Sequence, residues 1–390
     1  MNLKARLKRY HATGKSTCTP EARPAVTGSR GTGSSPALWP GWTPVGFKTL
    51  KREQVCELAF PLGSGFPKSL AILVPDLFPY FVRFGRIPLP EDLLFFDLET
   101  TGLSGGAGTI AFLAAFGRFA ASKNGNAALA VTQYLLLDYP GEADFIELAT
   151  AEFSLAGDGL PLVASYNGKC FDSQIFKNRC LLNRIHPPEY YQADLLHPSR
   201  RLWKKTLSDC SQATIEVQIL GLDRTGDVSG AMAPEIWFSF LRGGDNAAST
   251  AALLSVCDHN ARDVAGLATL FLALTQIASD PFKSRNIFRF DYKALALFWW
   301  KAVKKHPLFF DGDESCVETA FSLLEAAAKD GSPQAAIVLA KDAEWRLSNP
   351  KLALHYTNLA LASSELSSGF RDEIEKRLSR LEKKYENIAI

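Results

Sequence analysis

Apolar residues recur along the chain at two spacings, and the changes of spacing divide it into four stretches. Residues 1–45 hold neither period and read as a disordered tail that ends in the turn-rich "WPGWTPVG". Residues 46–90 carry short strand-like runs, "VCELAF" and "AILV", broken by Pro and Gly, and read as a strand-rich lead-in. Between 91 and 279 strand and helix patterns alternate. "LLFFDLE", "TIAFLAAFGRFA" and "AVTQYLLLDY" predict three consecutive strands, and "EADFIELATAEFSL" has helical spacing. "PLVASYN" is a short strand, "FDSQIFKNRCLLNRI" a helix and "YYQADLLH" another strand; two helical segments close the block, the last being "ALLSVCDHNARDVAGLATLFLALTQIA". That order predicts an α/β fold with a mixed sheet flanked by helices. Residues 280–390 turn helical throughout, rich in Ala, Leu, Lys and Glu, with breaks at "DGSP" and "SNP". There Ala340, Ala353 and Ala360 stand near the places where a tetratricopeptide-type helix pair packs closely, although only one clear copy of that repeat of about 34 residues is present. A generic helical bundle fits the same pattern, and either way the stretch reads as a separate, non-catalytic module.

Alternation along "LLFFDLE" puts Leu93, Phe95, Asp97 and Glu99 on one face and Leu94, Phe96 and Leu98 on the other. Both faces begin apolar, so the strand is buried on both sides and its acids arrive only at the C-terminal end. In an open α/β sheet that end faces the ligand crevice. Two carboxylates aimed into one crevice repel each other, and unpaired burial costs several kcal/mol, so the pair calls for a cation. A hard divalent cation takes several oxygens. Two further acids fit that demand. Asp172 in "NGKCFD" follows a strand and opens a helix, where a helix cap is its bland alternative. Asp263 in "DHNARDVAGL" lies beside the apolar face of its helix, with His259 four residues before it on the same side. A strand pair and two acids from separate helices would converge on two ions about 3.5–4 Å apart, the arrangement suited to phosphodiester cleavage. The glycines from Gly102 to Gly108 match neither a dinucleotide nor a Walker fingerprint and read as a tight strand-to-strand loop beside the site.

Composition narrows the class. With 47% hydrophobic and 22% charged residues the chain is that of a globular protein, and its longest apolar run, near "TIAFLAAFG", is too short to cross a bilayer. Seven cysteines scattered from Cys18 to Cys316 without a C-x-x-C pair form neither a disulfide framework nor a zinc array, and the expected compartment is the reducing cytoplasm. The N-terminus has no apolar run behind its positive charges, so no secretory signal is expected. The net charge of +2 hides a contrast: residues 1–30 carry seven basic side chains against Glu21, a local +6, which leaves −4 for the remainder. Such a tail suits contact with nucleic acid or anionic lipid, and equally suits plain solvation.

Taken in order, D-x-E, N-x₄-D and H-x₃-D resemble the three motifs of the DEDD exonucleases, the DnaQ-like branch of the ribonuclease H-like fold. The wording "DLETTGLSGGAGTIAFLAAFG", "YNGKCFD", "ADLLHPSRRLW" and "HNARDVAGL" is similar to the bacterial YprB-type ribonuclease H-like domain family over about residues 91–275. The resemblance implies a nuclease using two Mg²⁺ or Mn²⁺ ions, typically a 3′-to-5′ exonuclease, with Asp97, Glu99, Asp172 and Asp263 as metal ligands. Asp97 and Glu99 would then share the catalytic work. It departs from the family at the third motif. Histidine stands at the spacing of the tyrosine branch, Y-x₃-D, rather than the histidine branch, H-x₄-D. His259 is the candidate general base, since imidazole as a residue type titrates near neutrality; its spacing also suits positioning of water or a hydrogen bond to Asp263.

The expected substrate is a single-stranded end of RNA or DNA. Thr100, Asn167 and Lys169, inside the first two motifs, are candidate substrate contacts, Lys169 with the better claim. "SRRLWKK" adds Arg200, Arg201 and Trp203, cations for phosphates and a ring for an unpaired base, or else a segment with Trp203 in the core. Asp194 in "ADLLHP" is a candidate outer contact rather than a ligand. The rival reading is a catalytically weak nucleic-acid-binding adaptor whose helical module recruits a protein partner, and a third keeps the metal site for endonucleolytic cleavage.

Overall fold

A computed structural model describes residues 39–102, 108–121, 127–154, 159–243, 246–310 and 312–386. The basic tail, but for its last few residues, and most of the glycine run (103–107) lie outside the described residues.

Seven strands form one sheet in the order β1-β2-β5-β4-β3-β6-β7. They are β1 (Trp42–Gly46), β2 (Thr49–Glu57), β3 (Leu93–Thr100), β4 (Ala111–Ala120), β5 (Ala128–Leu136), β6 (Leu162–Ser165) and β7 (Tyr191–Asp194). From β1 to β3 every pairing is antiparallel, whereas β3-β6 and β6-β7 are parallel. The mixed sheet expected from the alternation of patterns is thus present. The lead-in differs from expectation. "WPGWTPVG" contains β1, and β1 and β2 extend the same sheet as an antiparallel hairpin. "AILV" contributes to a short helix, α1 (Leu70–Leu73), not a strand, and α2 (Leu77–Phe84) follows.

β3 divides its side chains as the alternation requires. Leu93 and Phe95 enter one apolar cluster, and Leu94, Phe96 and Leu98 enter another. Phe95 meets Phe271 at 5.9 Å, while Phe96 lies 5.2 Å from Phe116 and 5.8 Å from Phe176. The helices around the sheet are α3 (Glu142–Ala151), α4 (Asp172–Leu182), α5 (Leu196–Trp203), α6 (Gln212–Ile215), α7 (Ala233–Gly243) and α8 (Ala247–Ser279). α6 widens directly into a π turn over Glu216–Leu220. α8, with 33 residues, is long and apolar enough to cross a membrane, but 72% of its most apolar window is buried inside the protein, as in a core helix.

After α9 (Pro281–Phe288) come α10 (Tyr292–Lys305), α11 (Glu314–Lys329), α12 (Pro333–Trp345), α13 (Pro350–Leu361) and α14 (Ser368–Glu386). The C-terminal region is helical, as read from its pattern. Its apolar residues share a cluster with the sheet: Phe95 and Phe271 belong to the same core as Trp299, Leu323 and Ile374. α14 is tied to α12 by Glu344, 4% exposed, which receives Arg377 at 2.5 Å and Arg380 at 2.5 Å.

Candidate metal centre

Three elements bring the acids together. β3 carries Asp97 and Glu99 to its C-terminal end, with Glu99 buried and Asp97 open to the cleft by a minor fraction. Asp172 is the first residue of α4 and is buried. Its loop is held by Asp194 at the end of β7, whose Oδ1 accepts from the Asn167 N–H (2.8 Å) and the Leu196 N–H (3.1 Å) and whose Oδ2 accepts from the Lys169 N–H (3.3 Å). Asn167 adopts a left-handed φ of 63° to make the turn. Gly168 is required there: a Cβ would sit 2.5 Å from Ser165 Oγ. Asp263 comes from α8, with the side chain of His259 one turn earlier on the same face.

Among the described residues Glu99, His259 and Asp263 offer ligand atoms within 4.8 Å of one another. His259 Nε2 lies 3.3 Å from Asp263 Oδ2 and 4.0 Å from Glu99 Oε1. Burial raises the pKa of Asp97 well above the usual carboxylate range, and the negative charges of Asp263, Asp172 and Glu99 push it further. Glu99 is raised well above its range by the same sequence of causes, burial first and then Asp263, Asp172 and Asp227. Burial lifts Asp172 to about 7, helped by Asp194, and burial raises Asp263 against the opposing pull of His259 and Arg224. Four carboxylates that resist ionisation together, with oxygen the dominant donor atom, fit a hard divalent cation.

One flank of the site is a charge network that the sequence reading missed. Arg224 donates to Asp263 Oδ1 (2.5 Å), Asp227 Oδ2 (2.6 Å) and, through Nε, Glu216 Oε2 (2.6 Å). Burial works against the Arg224 charge, but the carboxylates of Asp263 and Glu216 more than offset it, and its pKa is raised. Glu216 is fully buried and is pushed up to about 7 by that burial. It fits only because α8 has no side chain at Gly266, where a Cβ would stand 1.7 Å from Glu216 Oε1. Asp227 also faces His259 Nδ1 at 3.0 Å. A carboxylate there accepts Nδ1–H and leaves Nε2 turned toward the acids. Asp258, the sequence neighbour of His259, points away to Arg52 at 2.7 Å.

The candidate substrate contacts fare differently. Trp203 is a correction: it is fully buried, its indole N–H donates to the Phe288 carbonyl at 2.8 Å, and it offers no ring to an unpaired base. The amphipathic pattern of its segment turned it into the core. Arg201 stacks on Phe298 with its guanidinium 3.5 Å from the ring centre, Lys169 Nζ is paired with Asp76, and Thr100 is buried with its hydroxyl donating to Gly102 O at 3.0 Å. Arg200 and the Asn167 side chain are exposed.

Residues 94–275 match the family described as RNase_H superfamily. The mixed sheet and the helices around it have a ribonuclease H-like fold. An uncharacterized protein of Bacillus subtilis (strain 168), YprB, is 35% identical to the chain over 189 residues, which is 48% of this chain and 42% of the relative's length. The chain therefore spans less than half of that relative. The acids of this fold lie at the sheet end where ligands of open α/β folds sit.

Proposed function

We propose that the chain is a divalent-metal-dependent phosphodiester hydrolase that shortens single-stranded RNA or DNA from the 3′ end. The observation that carries this reading is the convergence of Asp97, Glu99, Asp172 and Asp263 in one buried cleft, each with its proton affinity raised by burial. These four carboxylates would hold two Mg²⁺ or Mn²⁺ ions. When bound, such ions supply Lewis acidity to the attacking and leaving oxygens.

The chain's own residues do the rest. His259 Nε2 takes a proton from the attacking water, while Asp227 on Nδ1 fixes the tautomer that makes this possible. Arg224 occupies one oxygen of Asp263 and so sets which lone pairs face the cleft. The exposed Arg200 lies on the helix that follows β7 and is free to meet the phosphates of an incoming strand.

The test uses purified protein, Mn²⁺ or Mg²⁺, and single strands of RNA and DNA labelled at the 5′ end. A ladder shortening from the 3′ end is expected. Internal fragments would replace the exonuclease by an endonuclease. Inertness equal to that of Asp97→Ala, with the strand still bound, would make the protein an adaptor.

A further inference from the structure

Asp97 stands at one end of a cross-strand row. The register aligns Asp97 on β3 with Ala115 on β4, Ala115 with Gln133 on β5, Gln133 with Arg52 on β2, and Arg52 with Trp42 on β1. Three strand spacings of about 4.8 Å therefore separate the metal-site acid from Arg52. The row's short member, Ala115, leaves room above it, and Asn260 of α8 bridges the gap.

The polar atoms form an unbroken chain. Arg52 Nε and Nη2 donate to Gln133 Oε1 at 3.0 and 2.6 Å. Gln133 Nε2 donates to Asn260 Oδ1 at 3.0 Å and to the Cys257 carbonyl at 2.8 Å. Asn260 Nδ2 donates to Asp97 Oδ2 at 2.7 Å. Gln133 and Asn260 are both fully buried, where polar side chains are kept only when their hydrogen bonds are made. An amide alone can face either way. Arginine can only donate and the Cys257 carbonyl can only accept, so Gln133 has one orientation, and that orientation dictates the orientation of Asn260.

We infer that Arg52, Gln133 and Asn260 are positioning residues of the metal centre: the β1–β2 hairpin, outside the matched ribonuclease H-like stretch, fixes through two buried amides the donor that holds one oxygen of Asp97 and leaves the other for a cation. The inference rests on the metal-dependent reading above. It makes the hairpin part of the active-site machinery rather than an appendage of the sheet.

Gln133→Glu tests the polarity without changing volume. Glutamate still accepts from Arg52 but cannot donate to Asn260, so Asn260 turns its carbonyl toward Asp97. Gln133→Met removes the donor without imposing the reversal. Mn²⁺ binding to the full chain is titrated by the loss of the free-ion electron paramagnetic resonance signal, with Glu344→Gln in α12 as a control of similar burial far from the row. Outer-shell partners of metal ligands are worth about 10–100-fold in affinity. The expected order is wild type and E344Q equal, Q133M weaker and Q133E weakest, by a factor in that range, with kcat falling and KM for the strand unchanged. Wild-type Mn²⁺ affinity in folded Q133E overturns the inference and leaves the metal reading intact. A wild-type protein that takes up no Mn²⁺ overturns both. Should Q133E not fold, Arg52→Met carries the same test: weakened binding supports the relay, and unchanged binding sinks it.

Discussion

Asp172→Asn should stabilise the metal-free protein, and do so more as pH rises. Asp172 is buried at the start of α4 and its pKa is lifted to about 7 from 3.8, burial being the main cause. A carboxyl group whose folded pKa lies above its unfolded one costs stability as pH climbs through the window between them, and the full cost is present above the folded pKa. A shift of that size corresponds to about 4 kcal/mol at pH 8 and about 2 kcal/mol at pH 5, at 1.36 kcal/mol per unit. Asparagine removes this cost, and the folded pKa already includes whatever the helix N-terminus contributes to the charge. The gain expected is about 4 kcal/mol at pH 8, shrinking to about 2 kcal/mol at pH 5. Denaturant unfolding of wild type and D172N in chelator at both pH values measures it. Mn²⁺ at a hundred times its dissociation constant then adds about 2.7 kcal/mol to the wild type alone, which narrows the gap at pH 8 and reverses the ranking at pH 5. A D172N protein that is less stable than wild type at pH 8 without metal, or a gap that ignores pH, refutes the view that this carboxylate is buried against its own charge.

Other outcomes follow from the same geometry. Arg224→Met leaves Glu216, Asp227 and Asp263 without their shared cation and should cost about 3–5 kcal/mol in denaturant unfolding; a neutral result would mean the network is not formed in solution. His259→Ala should lower kcat by about 10²–10⁴-fold, and Asp227→Asn should lower it less, in single-turnover assays. Trp203→Ala should cost about 3–5 kcal/mol of stability, while the affinity of the remaining folded protein for single strands, read by fluorescence anisotropy, stays unchanged.

Which parts of this site could be read from sequence depends on whether a regular period surrounds them. β3 is apolar on both faces until Asp97, so the place where charge enters the core is visible in "LLFFDLET" itself. Asp263 stands out in the same way against Val264 and Leu267. Arg224 and Asp227 sit between the π turn and α7, where no period marks which side chains turn inward. Their role emerges only when the chain folds back over His259. Asn260 and Gln133 were findable: each is a polar residue on an apolar stripe, Asn260 four residues from Val256 and Val264, Gln133 two from Val131 and Leu135. Trp203 misled because a cation-rich segment with one aromatic has the same composition whether its ring faces solvent or core. β1 was hidden by turn-forming Pro and Gly, which an edge strand tolerates.

The missing side chain at Gly266 has a reach well beyond its own helix turn. A methyl group there would have to evict the Glu216 carboxylate. Evicting it would loosen Arg224, and the guanidinium would no longer discipline Asp263, three residues back along the same helix. An alanine placed deep in the packing, touching neither metal nor strand, would then be felt first as a slackened grip on cations.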